Sequence, residues 1–170
     1  MPEHIWSVLC YKGCLDKYTN QVSLLDVIEG AAMVADKQPD LGTVLNFHIP
    51  INLVTLWLRT AIDEPESFRT RLVIVTPDGH EYPNRSELPC DLIETPRLRT
   101  FLRIQGLPYQ GNGMYRVNIE CQDPGSTTWR RVSSMPLELT ITLQAPTQPA
   151  KTPEASVKPL RKRRRARIRN

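Results

Sequence analysis

The sequence predicts an all-β fold, a single antiparallel β-sandwich of about eight strands with a disordered basic C-terminal tail. Three observations support this prediction. Apolar residues alternate with polar ones in many short segments, Pro, Gly, Asn and Asp separate the segments, and helix-length periodicity is nearly absent. A chain of 170 residues suffices for one domain with its own core and leaves no room for a second.

The clearest strand pattern occupies residues 137–143, where Leu or Ile alternates with polar residues. Successive side chains of a strand point to opposite faces, so one face of this segment enters the core. Residues 68–74, 98–104 and 115–121 repeat the alternation, and a shorter strand is expected at 129–134. These segments are predicted to be half-buried strands.

Connections and central strands follow from composition. The Gly- and Pro-containing stretch 106–113 predicts a hairpin between two strands, and Thr76–Gly79 has turn chemistry. Ile5–Cys14 and Ile51–Arg59 are apolar on both faces, as expected of strands near the middle of a sheet whose two faces are covered. We expect Trp6 and Trp57, which lie in these strands, to anchor the core.

Residues 21–36 have two interpretations. Ser23 with Asp26 could cap a helix, and Leu24, Ile28 and Ala32 share the four-residue helical spacing. A strand with a bulge at Gly30 fits equally well, because apolar residues also fall on one face of a strand. We favour the strand and keep the helix as the alternative.

The charge of the chain divides at about residue 150. From Lys151 to Asn170 there are nine Lys or Arg and one acidic residue, a balance of +8. Because the whole chain carries +4, residues 1–150 carry −4. The prolines and sparse apolar residues after Ala145 offer too little surface to offset the entropy of ordering. We therefore predict a domain at 1–144 and a disordered tail at 145–170.

Several short motifs resemble a family of small uncharacterised bacterial proteins, grouped as a domain-of-unknown-function family. The resemblance covers most of residues 5–143 and implies a β-sandwich fold without known catalytic or ligand-binding residues. The motifs that carry it are Val8-Leu9-Cys10, Asp16, Thr19-Asn20, Ser23–Ile28, Leu107-Pro108, Gly113–Val117 and Pro136–Leu139.

Location and redox state follow from what the sequence lacks. No run of roughly 18 apolar residues predicts a membrane span, and the N-terminus lacks a signal-peptide pattern. We expect a cytoplasmic protein whose cysteines are reduced and buried as small hydrophobic residues. The four cysteines are Cys10, Cys14, Cys90 and Cys121.

Metal and cofactor sites are not expected. Cys10 and Cys14 would lie roughly 13 Å apart on a strand, too far to share one zinc ion. The three histidines, His4, His48 and His80, belong to no motif with a defined mechanism. Calcium would require acidic side chains to converge at one end of the sandwich. The candidates are Asp63, Glu64, Glu66, Asp78 and Glu81.

Five arginines project from predicted strands, and neighbouring strands would bring them onto one surface. Such a surface could receive an anion or an acidic partner. The alternative is a solvated sheet face, since exposed strand positions must be polar in any case. The five are Arg99, Arg103, Arg116, Arg130 and Arg131.

The tail is the sharpest functional signal, because eight positive side chains fall within its last thirteen residues. Such a segment repels itself, stays extended and can neutralise the phosphates of a nucleic acid. An anionic membrane, another protein and a merely solubilising tail are the rival interpretations. The candidate binding residues are Lys158, Arg161, Lys162, Arg163, Arg164, Arg165, Arg167 and Arg169.

The sequence thus predicts a non-enzymatic interaction module whose tail associates with an anionic polymer, with nucleic acid as the leading partner class. A structural or assembly protein of a bacterial or phage multi-subunit system is the alternative, with strand edges that pair with neighbours. An enzyme ranks third, because no nucleophile, base or metal set can be assembled from the sequence.

Overall fold

The computed structural model describes residues 2–61, 63–83 and 87–144. These residues form ten strands and no helix, which confirms the all-β prediction. The strands are β1 (Glu3–Leu15), β2 (Val22–Val27), β3 (Gly30–Ala35), β4 (Val44–Leu58), β5 (Ser67–Val75), β6 (Glu81–Pro83), β7 (Leu88–Asp91), β8 (Arg97–Pro108), β9 (Gly113–Gln122) and β10 (Arg130–Leu143).

The strand count differs from the predicted eight for three reasons. Residues 21–36 form two strands, β2 and β3, rather than one, and the helical alternative is wrong. Residues 129–134 and 137–143 belong to one strand, β10. The short strands β6 and β7 were not predicted, because three or four residues carry no readable alternation.

The strands form two sheets. The first sheet has the order β2-β1-β4-β8, and the second has the order β3-β10-β9-β5-β6, with β7 also paired to β5. All pairings are antiparallel except β3 with β10, which is parallel. The fully antiparallel prediction is therefore wrong at β3. Only Ile28 and Glu29 separate β2 from β3, so the chain changes sheet there.

The core lies between the two sheets. Trp57 and Leu53 from the first sheet, and Tyr115 and Leu137 from the second, are fully buried in one cluster. The rings of Trp57 and Phe68 meet across the sheets at 4.7 Å. Burying each such side chain contributes about 1.5–3 kcal/mol. Trp57 is a core anchor as predicted, whereas Trp6 is only half-buried and lies outside the cluster.

A tyrosine fixes the connection between β8 and β9. The Tyr115 hydroxyl donates to the Gly111 carbonyl at 3.0 Å and accepts from the Gln110 amide at 2.8 Å. This resembles the tyrosine corner of β-sandwiches, in which a buried tyrosine holds a connection between sheets. The predicted hairpin is wrong, because β8 lies in the first sheet and β9 in the second.

The predicted turn at Thr76–Gly79 is confirmed as the link between β5 and β6. The Gly79 amide donates to the Thr76 carbonyl at 2.9 Å, and Gly79 has a φ of 85°. Glycine adopts this left-handed conformation without a steric penalty. Within the described ranges, no helix is long and apolar enough to cross a membrane.

Candidate interaction surfaces

The described part of the chain ends at a defined place. Strand β10 ends at Leu143, and the Gln144 amide then donates to the Ala35 carbonyl at the end of β3, at 2.9 Å. The last described residue is thus fixed at one edge of the second sheet. The predicted tail, residues 145–170, with its candidate residues Lys158, Arg161, Lys162, Arg163, Arg164, Arg165, Arg167 and Arg169, lies outside the described residues.

The structure divides the predicted arginine surface between the sheets. Arg99 and Arg103 lie on β8 in the first sheet, whereas Arg116, Arg130 and Arg131 lie on β9 and β10 in the second. The outer faces of two packed sheets point in opposite directions. A single surface made of all five arginines is therefore excluded.

Two arginines on the second sheet are neutralised by glutamates. Glu120 is 7% exposed and accepts from Arg71 at 2.7 and 2.9 Å. Arg131 lies 2.8 Å from Glu81 and 3.8 Å from Glu120. The Arg71 guanidinium also stacks on the ring of Trp129, 4.3 Å from its centroid.

This network makes Arg71 and Arg131 poor anion receptors, because their charge is already compensated. The sequence analysis did not find Glu120 or Arg71 as partners. Their meeting depends on the register in which Arg71 lies opposite Glu120 across β5 and β9. Alternation along one strand gives the face of each residue and does not give its partner.

The hairpin that joins β1 and β2 extends over the outer face of the first sheet. We call its residues 13–23, which include the end of β1 and the start of β2, the hairpin arm. Arg99 on β8 donates to the Asn20 side chain at 2.9 Å, although two strands lie between β2 and β8. An added Cβ on Gly13 would meet the Phe101 ring at 2.9 Å and Val54 at 3.5 Å. Val54 is fully buried as a result of this cover.

The four cysteines lie on β1, β7 and β9. Cys10, Cys90 and Cys121 are buried as predicted, but Cys14 is exposed, because it lies on the hairpin arm. No cluster of three or more His, Cys, Asp or Glu suited to a metal occurs among the described residues. Burial and the charge of Asp91 raise the pKa of Cys90 to about 12. Its thiol therefore stays protonated at neutral pH and is a weak nucleophile.

Cys90 borders a cavity of about 550 Å³ between the ends of β5, β7 and β9. Asp91, Asp123 and Arg69 also line the cavity, and Arg69 pairs with Glu87 at 2.9 Å. A protonated thiol beside a compensated arginine does not form an activated nucleophile with its base. The cavity therefore gives no support to a catalytic role.

The predicted acidic group is separated by the length of a strand. Asp63, Glu64 and Glu66 precede β5, whereas Asp78 and Glu81 follow it. Nine residues at about 3.3 Å each place the two sets roughly 30 Å apart. These carboxylates cannot share one calcium ion. The calcium hypothesis is wrong in the form that requires convergence.

The histidines are also dispersed. His4 Nε2 lies 2.7 Å from the Ser7 hydroxyl, and the His4 ring packs edge-on against Trp57 at 5.0 Å. Burial lowers the pKa of His4. His48 lies in β4, and His80 lies in the turn before β6, where its ring packs against Tyr82.

The open edge of the second sheet borders a groove. Its volume is about 320 Å³, and its two walls are β3 and the segment 47–49 of β4. Most of its lining is apolar, including Tyr11, Met33 and Phe47. Val34 and Ile49, at 71% and 55% exposed, stand at its rim. The sequence analysis missed this groove because its walls lie in different sheets.

No protein-family model and no curated protein matches the chain. Two solved structures have a weak similarity to it. A family 123 glycoside hydrolase from Clostridium perfringens has a TM-score of 0.38 and 11% identity, over 82% of this chain and 28% of that chain. The N-terminal domain of PorA has a TM-score of 0.25 and 7% identity, over 80% of this chain and 97% of that chain. The chain thus spans less than a third of the hydrolase, and neither similarity establishes a shared fold.

Proposed function

We propose that this chain is a non-enzymatic interaction module whose basic tail binds an anionic polymer, with nucleic acid as the partner. The observation that carries the proposal is the separation of charge, +8 in residues 151–170 against −4 in the rest of the chain. The folded part repels a polyanion weakly, so the attraction is confined to the tail. Binding neutralises phosphates and releases their condensed counterions.

The exit point of the chain supports this arrangement. Gln144 is hydrogen-bonded to Ala35 at the edge of the second sheet, so the tail starts at the surface of the domain. Two arginines of the second sheet, Arg71 and Arg131, are paired with glutamates and therefore compete weakly for a polyanion. The tail, with nine Lys or Arg in twenty residues, has the densest positive charge of the chain.

Deleting residues 145–170 tests the proposal. The full chain should bind duplex DNA with a slope of log affinity against log salt of about −5 to −7, for six to eight phosphate contacts. The truncated chain should lose this binding and keep its melting temperature. Fluorescence anisotropy at several salt concentrations measures the first property, and thermal denaturation measures the second.

Two matched variants separate charge from other properties of the tail. Replacing every tail Arg by Lys preserves the charge and should preserve most of the affinity, because phosphate contacts carry no base identity. Replacing the same residues by Gln should abolish it. Binding that survives in the truncated chain would refute the proposal.

A structural or assembly protein is the second candidate function. It is favoured by one observation, the uncharged open edge of β3, because such edges pair with strands of other chains. Oligomerisation without nucleic-acid affinity is the result that would favour it over the first proposal.

A further inference from the structure

We propose that β3 pairs antiparallel with β3 of a second copy of this chain, so that the second sheets of two copies join across a two-fold axis. The proposal concerns the folded domain and does not depend on what the tail binds. Four observations support it: the direction of the β3 backbone groups, the composition of the edge strands, the charges that flank β3, and the apolar side chains beside it.

The backbone of β3 has a bonded side and a free side. The carbonyls of Glu29, just before β3, and Ala35, at its end, accept hydrogen bonds from the amides of Glu138 in β10 and Gln144 just after β10. In a strand, the amide and carbonyl of one residue point to the same side, and the side alternates along the chain. The backbone groups of Gly30, Ala32 and Val34 therefore point away from β10. No strand of the described residues pairs with that side.

Composition distinguishes β3 from the other edge strands. Charged residues and proline on an edge strand prevent it from pairing with another chain. Strand β2 contains Asp26, β6 and β7 contain Pro83 and Pro89, and β8 contains three arginines. The sequence of β3, Gly-Ala-Ala-Met-Val-Ala, contains neither a charge nor a proline.

A two-fold axis allows a register that uses the free groups. Two identical antiparallel strands can place Ala32 opposite Val34 of the second copy, and Val34 opposite its Ala32. Both residues point their backbone groups to the free side, so these are hydrogen-bonded pairs. The same register brings Glu29 of each copy toward Lys37 of the other. Opposite charges facing each other stabilise paired strands.

The apolar side chains beside β3 become buried in this dimer. Val34, 71% exposed in the single chain, would pack on Ala32 of the second copy. Met33 and Ile49 border the groove, and the two grooves would face each other across the axis. Removing this apolar surface from water provides the driving force, and the hydrogen bonds provide the register.

Sedimentation velocity of the full chain over a range of concentrations tests the pairing. We expect a monomer–dimer equilibrium. Ala32→Pro removes a free-side amide without touching a bond to β10, and by symmetry it removes two hydrogen bonds from the dimer. The dimer dissociation constant should rise about 30-fold. Val34→Lys should also weaken the dimer, because it buries a charge at the axis.

Matched controls lie on β2. The Ile28 amide donates to Leu9 on β1, so the amide of the preceding residue, Val27, points to the free side of β2 by the same alternation. Val27→Pro and Val27→Lys repeat the two chemical changes on an edge that we do not expect to pair. They should leave the dissociation constant unchanged. Melting temperatures of all four variants, measured at protein concentrations below the dissociation constant of the dimer, show whether each one folds.

A charge exchange tests the register. Glu29→Lys and Lys37→Glu should each weaken the dimer, and the double variant should restore it. The proposal is overturned by a monomer at every concentration, by a dimer that Ala32→Pro does not weaken, or by equal effects of Ala32→Pro and Val27→Pro. Tail binding to DNA is measured separately, so failure of the pairing and failure of the proposed function are distinguishable.

Discussion

Strands β3 and β8 both form the edge of a sheet, and they differ in almost every other respect. Strand β8 has twelve residues, three of them arginines, and its outer face meets the hairpin arm through Phe101 and Arg99. Strand β3 has six residues without charge, and an open groove lies beside it. One edge is long and protected, and the other is short and exposed.

The difference shows how a sheet edge is kept from pairing with other chains. Length alone does not decide the matter, since the longer strand is the protected one. Arginines that require solvent and a loop that lies across the outer face make β8 a poor template for another strand. Strand β3 has neither arginines nor a loop across it. The composition of an edge strand and the presence of a covering loop therefore distinguish the open edge of the molecule from the protected one.

Glycine replacement should give the largest difference between the two edges. Gly106 on β8 and Gly30 on β3 each face the backbone of the neighbouring strand. A Cβ at Gly106 would lie 2.3 Å from the Leu45 carbonyl oxygen, whereas one at Gly30 would lie 3.1 Å from the Glu138 carbonyl oxygen. We expect Gly106→Ala to cost about 3 kcal/mol in the free energy of unfolding, and Gly30→Ala less than about 1 kcal/mol.

Urea denaturation of both variants measures these costs. The exposed change Gln105→Ala, next to Gly106, serves as a control for substitution on β8. Similar destabilisation by Gly106→Ala and Gly30→Ala would contradict the view that β8 is held closer to its neighbour than β3.

Removing the contact between the hairpin arm and β8 should have a smaller effect. Arg99→Ala deletes the hydrogen bond to Asn20 and should destabilise the domain by about 1 kcal/mol. Arg103, exposed on the same strand and without a described partner, provides the control Arg103→Ala, for which we expect little change. A double-mutant cycle with Asn20→Ala measures the coupling by chemical denaturation, and a coupling of zero would show that the contact does not stabilise the arm.

Acid should weaken the turn at the tip of the hairpin arm, and this is the smallest of the expected effects. The Thr19 and Tyr18 amides donate to Asp16, at 2.9 and 2.8 Å, and lower the pKa of its carboxyl below the ordinary value of 3.8. Because the pKa of Asp16 is lowered by folding, its contribution to stability is fully present above pH 3.8 and is lost as the pH falls through its pKa in the folded state.

Amide chemical shifts of Tyr18 and Thr19 measure this transition. They should titrate below pH 3.8 in the natural chain. In Asp16→Asn they should not titrate, because the side-chain oxygen of asparagine still accepts the two hydrogen bonds and has no charge to lose. Titration of these amides at or above pH 3.8 would show that Asp16 does not hold the turn.

Strand β10 shows how far the sequence can be interpreted. The sequence predicted residues 129–134 and 137–143 as two separate strands, and Pro136, a residue type that is rare inside a sheet, lies between them. The structure accommodates Pro136 because β3 pairs only with Glu138–Leu143. The Pro136 nitrogen faces the same side of β10 as the Glu138 amide, which bonds to Glu29, but it lies beyond the end of β3, so its missing N–H costs no hydrogen bond to β3. That fact depends on where another strand ends.

The candidate sites follow the same division. The sequence located the cluster of charge in the tail, because a run of Lys and Arg is visible residue by residue. It missed the pairing of Glu120 with Arg71 and the contact of Asn20 with Arg99, which join residues 49 and 79 positions apart. It also grouped five arginines that belong to opposite faces of the molecule.

The sequence by itself determined the all-β fold, the position of most strands, the turn at Thr76–Gly79 and the separation of charge. Each depends on side chains that are near one another along the chain, through alternation, turn chemistry or simple composition. Only the tertiary structure decided which sheet each strand joins, which arginines are neutralised and that the edge of β3 is open. Those features depend on pairings between distant residues, and a strand of given alternation fits either sheet equally well until its neighbours are in place.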